Sequence, residues 1–327
     1  MITDRLGLEK IEGFSARKFF REIVRRHGPD DAETLLSVGA PGTTPPLSPS
    51  MAELPGPWLF FRVLLGTLIT YGVFREAWQV YANLNVIPGL IMVGSFAVPL
   101  STLVLFFELN TPRNLSLFRT LQLLAIGGAT SLLLSLFLYD VTPLLGILGD
   151  SAAGIVEEVG KLVALLLALR LVPVERYRFR LNWLLLGAAI GAGFAAFESA
   201  GYALRIGLNV SDTAMLDNIT TRGLLSPLGH IPWTAIAAAA YWSARQETPG
   251  FLQAILHRKF LRMFAIPVVL HATWDFGDGG PFFVKYLVLG FVAWVVVLSL
   301  VQTGLRDIAR ECEASAPAPM SQTPGEA

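Results

Sequence analysis

The 327-residue chain has little charge and almost no cysteine. Charged residues make up only 15% of it, and equal numbers of acidic and basic residues leave no net charge. This balance gives no indication of nucleic-acid binding. A single cysteine, Cys312, excludes an intramolecular disulfide framework and a cysteine-rich metal site.

Apolar residues are abundant instead: they form 53% of the sequence and cluster into long runs. A helix needs about 20 such residues to span the hydrocarbon core of a bilayer. Eight runs approach this length and predict an all-α fold, a polytopic transmembrane helix bundle of about eight spans. The predicted spans are 58–74, 86–107, 117–138, 144–169, 182–204, 221–243, 260–276 and 283–303.

Lysine and arginine are distributed unequally between the two sides of these spans. Most of them fall on the side that carries the N-terminus, whereas the other side holds only Arg75, Arg205, Arg222 and Lys285. Cytoplasmic loops of membrane proteins are enriched in basic residues. We therefore predict that both termini are cytoplasmic.

The ends of the chain are polar, and three regions are predicted. Residues 1–57 are expected to form a cytoplasmic extension and linker, 58–303 the membrane-embedded domain, and 304–327 a disordered cytoplasmic tail. The basic stretch 13–28 fits either an amphipathic helix on the inner leaflet or a solvated helix. The stretch 39–50 is rich in proline, threonine and serine, which predicts a flexible linker.

Four of the predicted spans carry ionisable side chains, each of which costs about 2.5–3.5 kcal/mol at the bilayer centre. These residues are Glu157, Glu158, Lys161, Glu198, His230, His271 and Asp275. At a rise of about 1.5 Å per residue, the glutamates and histidines lie between the midplane and the outer half of the membrane. We therefore predict that four helices share one polar cavity.

Several of these residues also have a purely structural interpretation. Glu157 and Lys161 are four positions apart and suit an ion pair within one helix. Glu198 is four positions before Tyr202, whose hydroxyl could satisfy it, and His230 could bond a backbone carbonyl. The occurrence of carboxylates and imidazoles at one depth on four helices favours the shared cavity.

Two imidazoles and a carboxylate form the ligand set of a catalytic divalent metal, usually zinc, with one position left for water. The predicted metal ligands are His230, His271 and Glu198. Glu157 or Glu158 would then be the general base, with Lys161 as a nearby cation and Asp275 fixing the tautomer of its histidine. Without a metal, a glutamate and a histidine would activate water directly. Both alternatives predict hydrolysis inside the membrane.

Two other activities would use some of the same residues. Ser226 and His230 are four positions apart, as in a serine–histidine nucleophile pair, but Ser226 precedes a proline and lacks a glycine-flanked turn. An ion- or proton-coupled transporter or channel would also use intramembrane glutamate, histidine and lysine. The sequence shows no paired, interrupted helices in two related halves, which such transporters often have.

Four motifs on successive predicted helices resemble those of one family. "EEVGK" at 157–161 matches E-E-x-x-K, "FAAFE" at 194–198 matches F-x-x-x-E, His230 follows, and "HATWD" at 271–275 matches H-x-x-x-D. In this order the set resembles the PrsW family of intramembrane proteases, which is distantly similar to the CAAX-prenyl endopeptidase and bacteriocin-immunity group. "FFELNTPRN" at 106–114 is also similar to a family segment.

The resemblance implies a peptidase of the bacterial cytoplasmic membrane that cleaves membrane-anchored protein substrates, such as an anti-sigma factor. It implies that Glu157 and Glu158 are the catalytic pair. The residues that complete the implied site are Glu198, His230 and His271, with Asp275 in support. The resemblance leaves open the choice between a metal and a glutamate mechanism, and it leaves the substrate open.

Overall fold

A computed structural model of the chain describes residue 11 and residues 14–170, 174–248, 250–277 and 283–315. Every regular element in these ranges is helical, and none of them is a strand. The predicted all-α fold is therefore confirmed.

Nine longer helices are labelled here in chain order. They are α1 (Leu59–Tyr81), α2 (Ile87–Leu109), α3 (Leu117–Val141), α4 (Ala153–Ala168), α5 (Arg180–Asn209), α6 (Asp212–Leu225), α7 (His230–Arg245), α8 (Arg258–Asp275) and α9 (Val284–Ala314). α3 contains a π-helical segment at Leu123–Gly127. Shorter helices lie at Ala16–Phe19, Pro29–Leu36, Leu144–Leu148 and Phe251–Leu256.

Four helices of the described chain are long and apolar enough to cross a membrane. They are α2 with the turn before it (Leu84–Leu109), α3, α5 and α9. Two of the predicted spans are interrupted. Gly149, with a φ of +58°, separates Leu144–Leu148 from α4, and a 3₁₀ turn containing Pro227 separates α6 from α7. The count of eight spans stays a prediction.

α5 lies at the centre of the bundle and packs most closely against α7. Gly187 and Gly191 of α5 face the backbone of α7, and a Cβ atom on either glycine would collide with it. Small residues allow helix backbones to approach in this way. Gly154 of α4 meets the backbone of α8 in the same manner, at Val268 and Ala272. These close contacts bring four helices together around the ionisable residues.

The N-terminal extension packs against the helical core. Phe19 is buried, and the backbone of Gly39, at a φ of +96°, lies directly against Leu115. The basic stretch forms a short helix at Ala16–Phe19 and a 3₁₀ turn at Arg21–Val24, and not the single helix that both sequence interpretations predict.

The stretch 39–50, predicted to be a flexible linker, also contacts the core. Leu47 packs against the core, and so does Met51 just beyond the stretch. Burial of these two apolar side chains holds the stretch in place, which its proline, threonine and serine content did not predict. At the other end, α9 continues to Ala314, past the predicted start of the tail at residue 304. Residues 316–327 of that tail lie outside the described residues.

Glu108, at the end of α2, caps the first turn of α1. Its carboxylate accepts hydrogen bonds from three backbone amides, those of Trp58 (2.8 Å), Leu59 (2.9 Å) and Phe60 (2.9 Å). The first amides of a helix have no partner within the helix, and a negative charge there is also favoured by the helix dipole. Glu108 therefore fixes the point at which the chain enters the bundle.

We expect Glu108→Ala to lower the free energy of unfolding by about 0.5–2 kcal/mol, the usual cost of losing an N-terminal cap. Thermal unfolding of the purified protein in detergent measures this. Glu76→Ala is the matched control, since Glu76 is an exposed glutamate of α1. Equal melting temperatures for the two variants would contradict the assigned role of Glu108.

Candidate active site

The two adjacent glutamates of α4 have different surroundings. The Oε1 atom of Glu158 lies 2.6 Å from Lys161 Nζ and 2.8 Å from His271 Nδ1, and the side chain of Glu158 is 0% exposed. Glu157 Oε1 accepts a hydrogen bond of 3.1 Å from the Tyr139 hydroxyl of α3. Glu157 lines a cavity of about 940 Å³, and its Oε2 is buried without a hydrogen-bond partner.

Lys161 is buried at the centre of this cluster. Besides Glu158, its Nζ contacts His230 Nδ1 at 2.9 Å and lies 4.3 Å from the centre of the Phe194 ring. Glu157 Oε2 is farther from Nζ, at 3.8 Å. Within α4, Lys161 therefore pairs more closely with Glu158, three positions away, than with Glu157, the partner that the sequence spacing suggests.

The two histidines of α7 and α8 lie side by side, with ring centroids 5.0 Å apart. His271 Nε2 lies 3.1 Å from Asp275 Oδ2, a contact that can hold the ring orientation as the sequence suggested. His230 Nε2 lies 3.1 Å from Glu198 Oε2. Trp233 stacks against His271 at 4.6 Å between ring centroids.

Arg222 of α6 is a site residue that the sequence analysis missed. It forms an ion pair with Glu198, donates a 2.9 Å hydrogen bond to Ser199 Oγ, and lies over the Tyr202 ring at 4.5 Å. Glu198 is therefore neutralised by an arginine and not by Tyr202, the partner that the sequence spacing suggests. The available signal was an arginine inside a predicted span, which the charge distribution assigns to the outer side of the membrane.

Tyr139 was also missed, because a tyrosine just beyond a predicted span carries no motif. It approaches the site because α3 and α4 pack as neighbours, with Gly160 against Ser135. Ser226 is near the site but does not pair with His230; its hydroxyl donates to the carbonyl of Gly223 at 3.0 Å. This geometry gives no support to a serine–histidine nucleophile pair.

One group in the described chain has the composition of a metal site. Ligand atoms of Glu157, His230 and His271 all lie within 4.8 Å of one another. The predicted set had Glu198 as the carboxylate, but Glu198 is engaged by Arg222. Two imidazoles and a carboxylate suit zinc or a similar divalent ion.

The unpartnered Oε2 of Glu157 is the observation that fits such a ligand, because buried carboxylate oxygens are normally hydrogen-bonded or bound to an ion. Both ring nitrogens of His230 already have a contact, Nδ1 with Lys161 and Nε2 with Glu198. A metal held by His230 would therefore replace one of these two contacts.

Carboxylates and imidazoles that meet in a cavity of an apolar helical bundle define a membrane-embedded site suited to activating water. A family model described as "PrsW family intramembrane metalloprotease" matches residues 121–301. This is more than half of the chain, and the chain belongs to that family. No curated protein and no solved structure matches the chain.

The matched region runs from α3 into α9 and contains every candidate site residue; the segment 106–114 lies before it. The protein is thus an intramembrane peptidase by family, and the transporter alternative is not favoured. The family description as a metalloprotease also agrees with the group of one glutamate and two histidines.

We expect Lys161→Met to destabilise the protein by about 3–5 kcal/mol, because it leaves the Glu158 carboxylate buried without its cation. Adding Glu158→Gln should recover part of this loss, since the uncompensated charge is removed. Thermal unfolding of the two variants tests the coupling. Lys259→Met, which breaks an exposed pair with Glu247, should cost at most about 1 kcal/mol.

Proposed function

We propose that the protein hydrolyses membrane-anchored proteins within the bacterial cytoplasmic membrane, with Glu157 as the general base. Both termini would be cytoplasmic, and the helices would cross the bilayer about eight times. The site would then lie in the outer half of the membrane. A regulator resembling an anti-sigma factor is the class of substrate that the family suggests.

The position of Glu157 carries this proposal. Its carboxylate lines the cavity and keeps one oxygen free of protein hydrogen bonds, which is what a group that takes a proton from water needs. Glu158 also has one unpartnered oxygen, but its other oxygen binds Lys161 and His271 and its side chain is sealed from the cavity. We therefore assign Glu158 to holding the lysine and the histidine.

The remaining residues position the reacting groups. Tyr139 donates to Glu157 Oε1 and so directs Oε2 toward the two imidazoles. Arg222 holds Glu198, and Glu198 in turn faces His230 Nε2. Asp275 faces His271 Nε2 from the cavity wall.

A divalent metal held by Glu157, His230 and His271 would act as a Lewis acid that polarises the scissile carbonyl. If Glu157 is a ligand in that state, a carboxylate of the cavity wall is still needed to accept a proton. Asp275 and Glu198 also line the cavity. Glu157 is therefore the base when no metal is bound and a ligand when one is, and both roles require its carboxylate.

Glu157→Gln should reduce cleavage by about 10²–10⁴-fold, the usual contribution of a general base, and leave the melting temperature unchanged. Glu158→Gln should reduce both cleavage and the melting temperature, because it breaks the buried pair with Lys161. The measurement is a mass-spectrometric comparison of the new N-termini that cleavage creates in membrane proteins, made in cells that carry each variant. Glu76→Gln, at an exposed position of α1, is the control.

Cleavage products that are identical in Glu157→Gln and wild-type cells would refute the proposed function. A normal melting temperature for Glu158→Gln together with lost cleavage would instead assign the base to Glu158.

The metal is tested separately by elemental analysis of purified protein after dialysis. We expect the wild type to retain a divalent ion and His230→Ala and His271→Ala to lose it, since each removes one ligand. His257→Ala should retain the ion, because His257 lies outside the group of three. Equal metal content in all four proteins would show that these histidines hold no ion.

A further inference from the structure

α3 and α5 pack against each other through small residues. Gly128 of α3 lies against Gly193 of α5, and a Cβ atom on Gly128 would be 2.6 Å from the Gly193 Cα. The contact depends on both residues being glycine, because any side chain would push the helices apart.

Beyond this contact, residues of both helices line the active-site cavity. Leu132, Leu136 and Tyr139 line it from α3, and Phe197 and Gly201 line it from α5. All five follow the contact glycine of their own helix. The cavity therefore reaches the C-terminal halves of these two helices, where it lies between their side chains.

The outer surface beside this gap is apolar. On α3, Leu133, Leu136 and Phe137 are 67%, 59% and 58% exposed, and Leu204 of α5 is 51% exposed. In a bilayer these side chains face lipid tails, since α3 is one of the helices long and apolar enough to cross it. At Gly201 no atom lies within 4 Å of where a Cβ would be, so the gap is open at this position.

The outer end of the cavity is charged and not apolar. Asp150 and Arg205 line it there, and both are exposed. Water can reach the site at this charged end. The cavity thus has an apolar side between two helices and a charged end, and Glu157 lies on its wall.

We propose that the gap between α3 and α5 is the surface at which the transmembrane segment of a substrate docks, reaching the site sideways from the lipid. The occupant is an apolar helix, because the rim is apolar and only apolar segments are stable at that depth. Its cleavage site would meet Glu157 beyond Tyr139. This inference rests on the proposed peptidase activity.

The first test closes the gap with a removable crosslink. Leu136 and Gly201 each lie eight residues beyond the contact glycine of their helix, and both line the cavity. In a Cys312→Ser background, Leu136→Cys and Gly201→Cys would be joined by a bifunctional maleimide whose spacer contains a disulfide. Each single-cysteine variant, treated with the same reagent, is the control.

Two substrates are then compared in proteoliposomes. One is a membrane protein whose cleavage in cells depends on Glu157, and the other is a short soluble peptide that spans its cleavage site. We expect the crosslinked protein to lose cleavage of the membrane protein, to regain it on reduction, and to cleave the peptide throughout, because the peptide enters at the charged end.

A second test needs no reagent. Gly201→Trp fills the gap and should abolish cleavage of the membrane protein while the peptide is still cleaved. Gly66→Trp is the matched control and should leave both activities unchanged, since Gly66 is an exposed glycine of α1 that also has open space around it.

The outcomes separate this inference from the proposed function. Continued cleavage of the membrane protein with the gap crosslinked or filled would overturn the docking surface and leave the peptidase intact. Loss of cleavage of both substrates in both tests would also overturn the docking surface. Closing the gap would then not discriminate between a membrane segment and a soluble peptide. Failure of the untreated protein to cleave either substrate would overturn the peptidase itself.

Discussion

Burial of the Lys161 ammonium is the constraint on which the polar centre of this protein depends. A charged group away from water must be paired and hydrogen-bonded, or its desolvation outweighs any gain. Glu158 provides the opposite charge at 2.6 Å, His230 accepts a hydrogen bond at Nδ1, and the Phe194 ring supplies its negative face. These three partners come from α4, α7 and α5, so satisfying one cation fixes the relative positions of three helices.

The same network separates the functions of two neighbouring glutamates. Because Glu158 is committed to Lys161 and His271, Glu157 is left on the cavity wall with one oxygen that accepts no hydrogen bond. Consecutive residues of a helix point about 100° apart, so one can face the protein while the other faces the cavity. An adjacent pair of acids can therefore combine a structural carboxylate with a reactive one.

Much of the site was predictable because intramembrane charge is expensive, so each ionisable residue in an apolar run had to have a partner or a function. This reasoning singled out Glu157, Glu198, His230 and His271, which lie close together in the described structure. It did not identify Arg222 or Tyr139, since their positions depend on how α6 and α3 pack. Helix boundaries were also less predictable, because a buried helix such as α4 is surrounded by protein and need not match the thickness of the bilayer.

The sequence by itself determined the helical class, the apolar character and the ordered motifs of the family, because these follow from composition and from spacing along one chain. The tertiary structure alone decided which partner each charge takes. Glu198 pairs with Arg222 of α6, although Tyr202 lies four positions along its own helix, and Glu158 of α4 contacts His271 of α8. The physical reason is distance: hydrogen bonds and ion pairs act over a few ångströms, and only the packing of helices through Gly154, Gly187 and Gly191 brings distant residues that close.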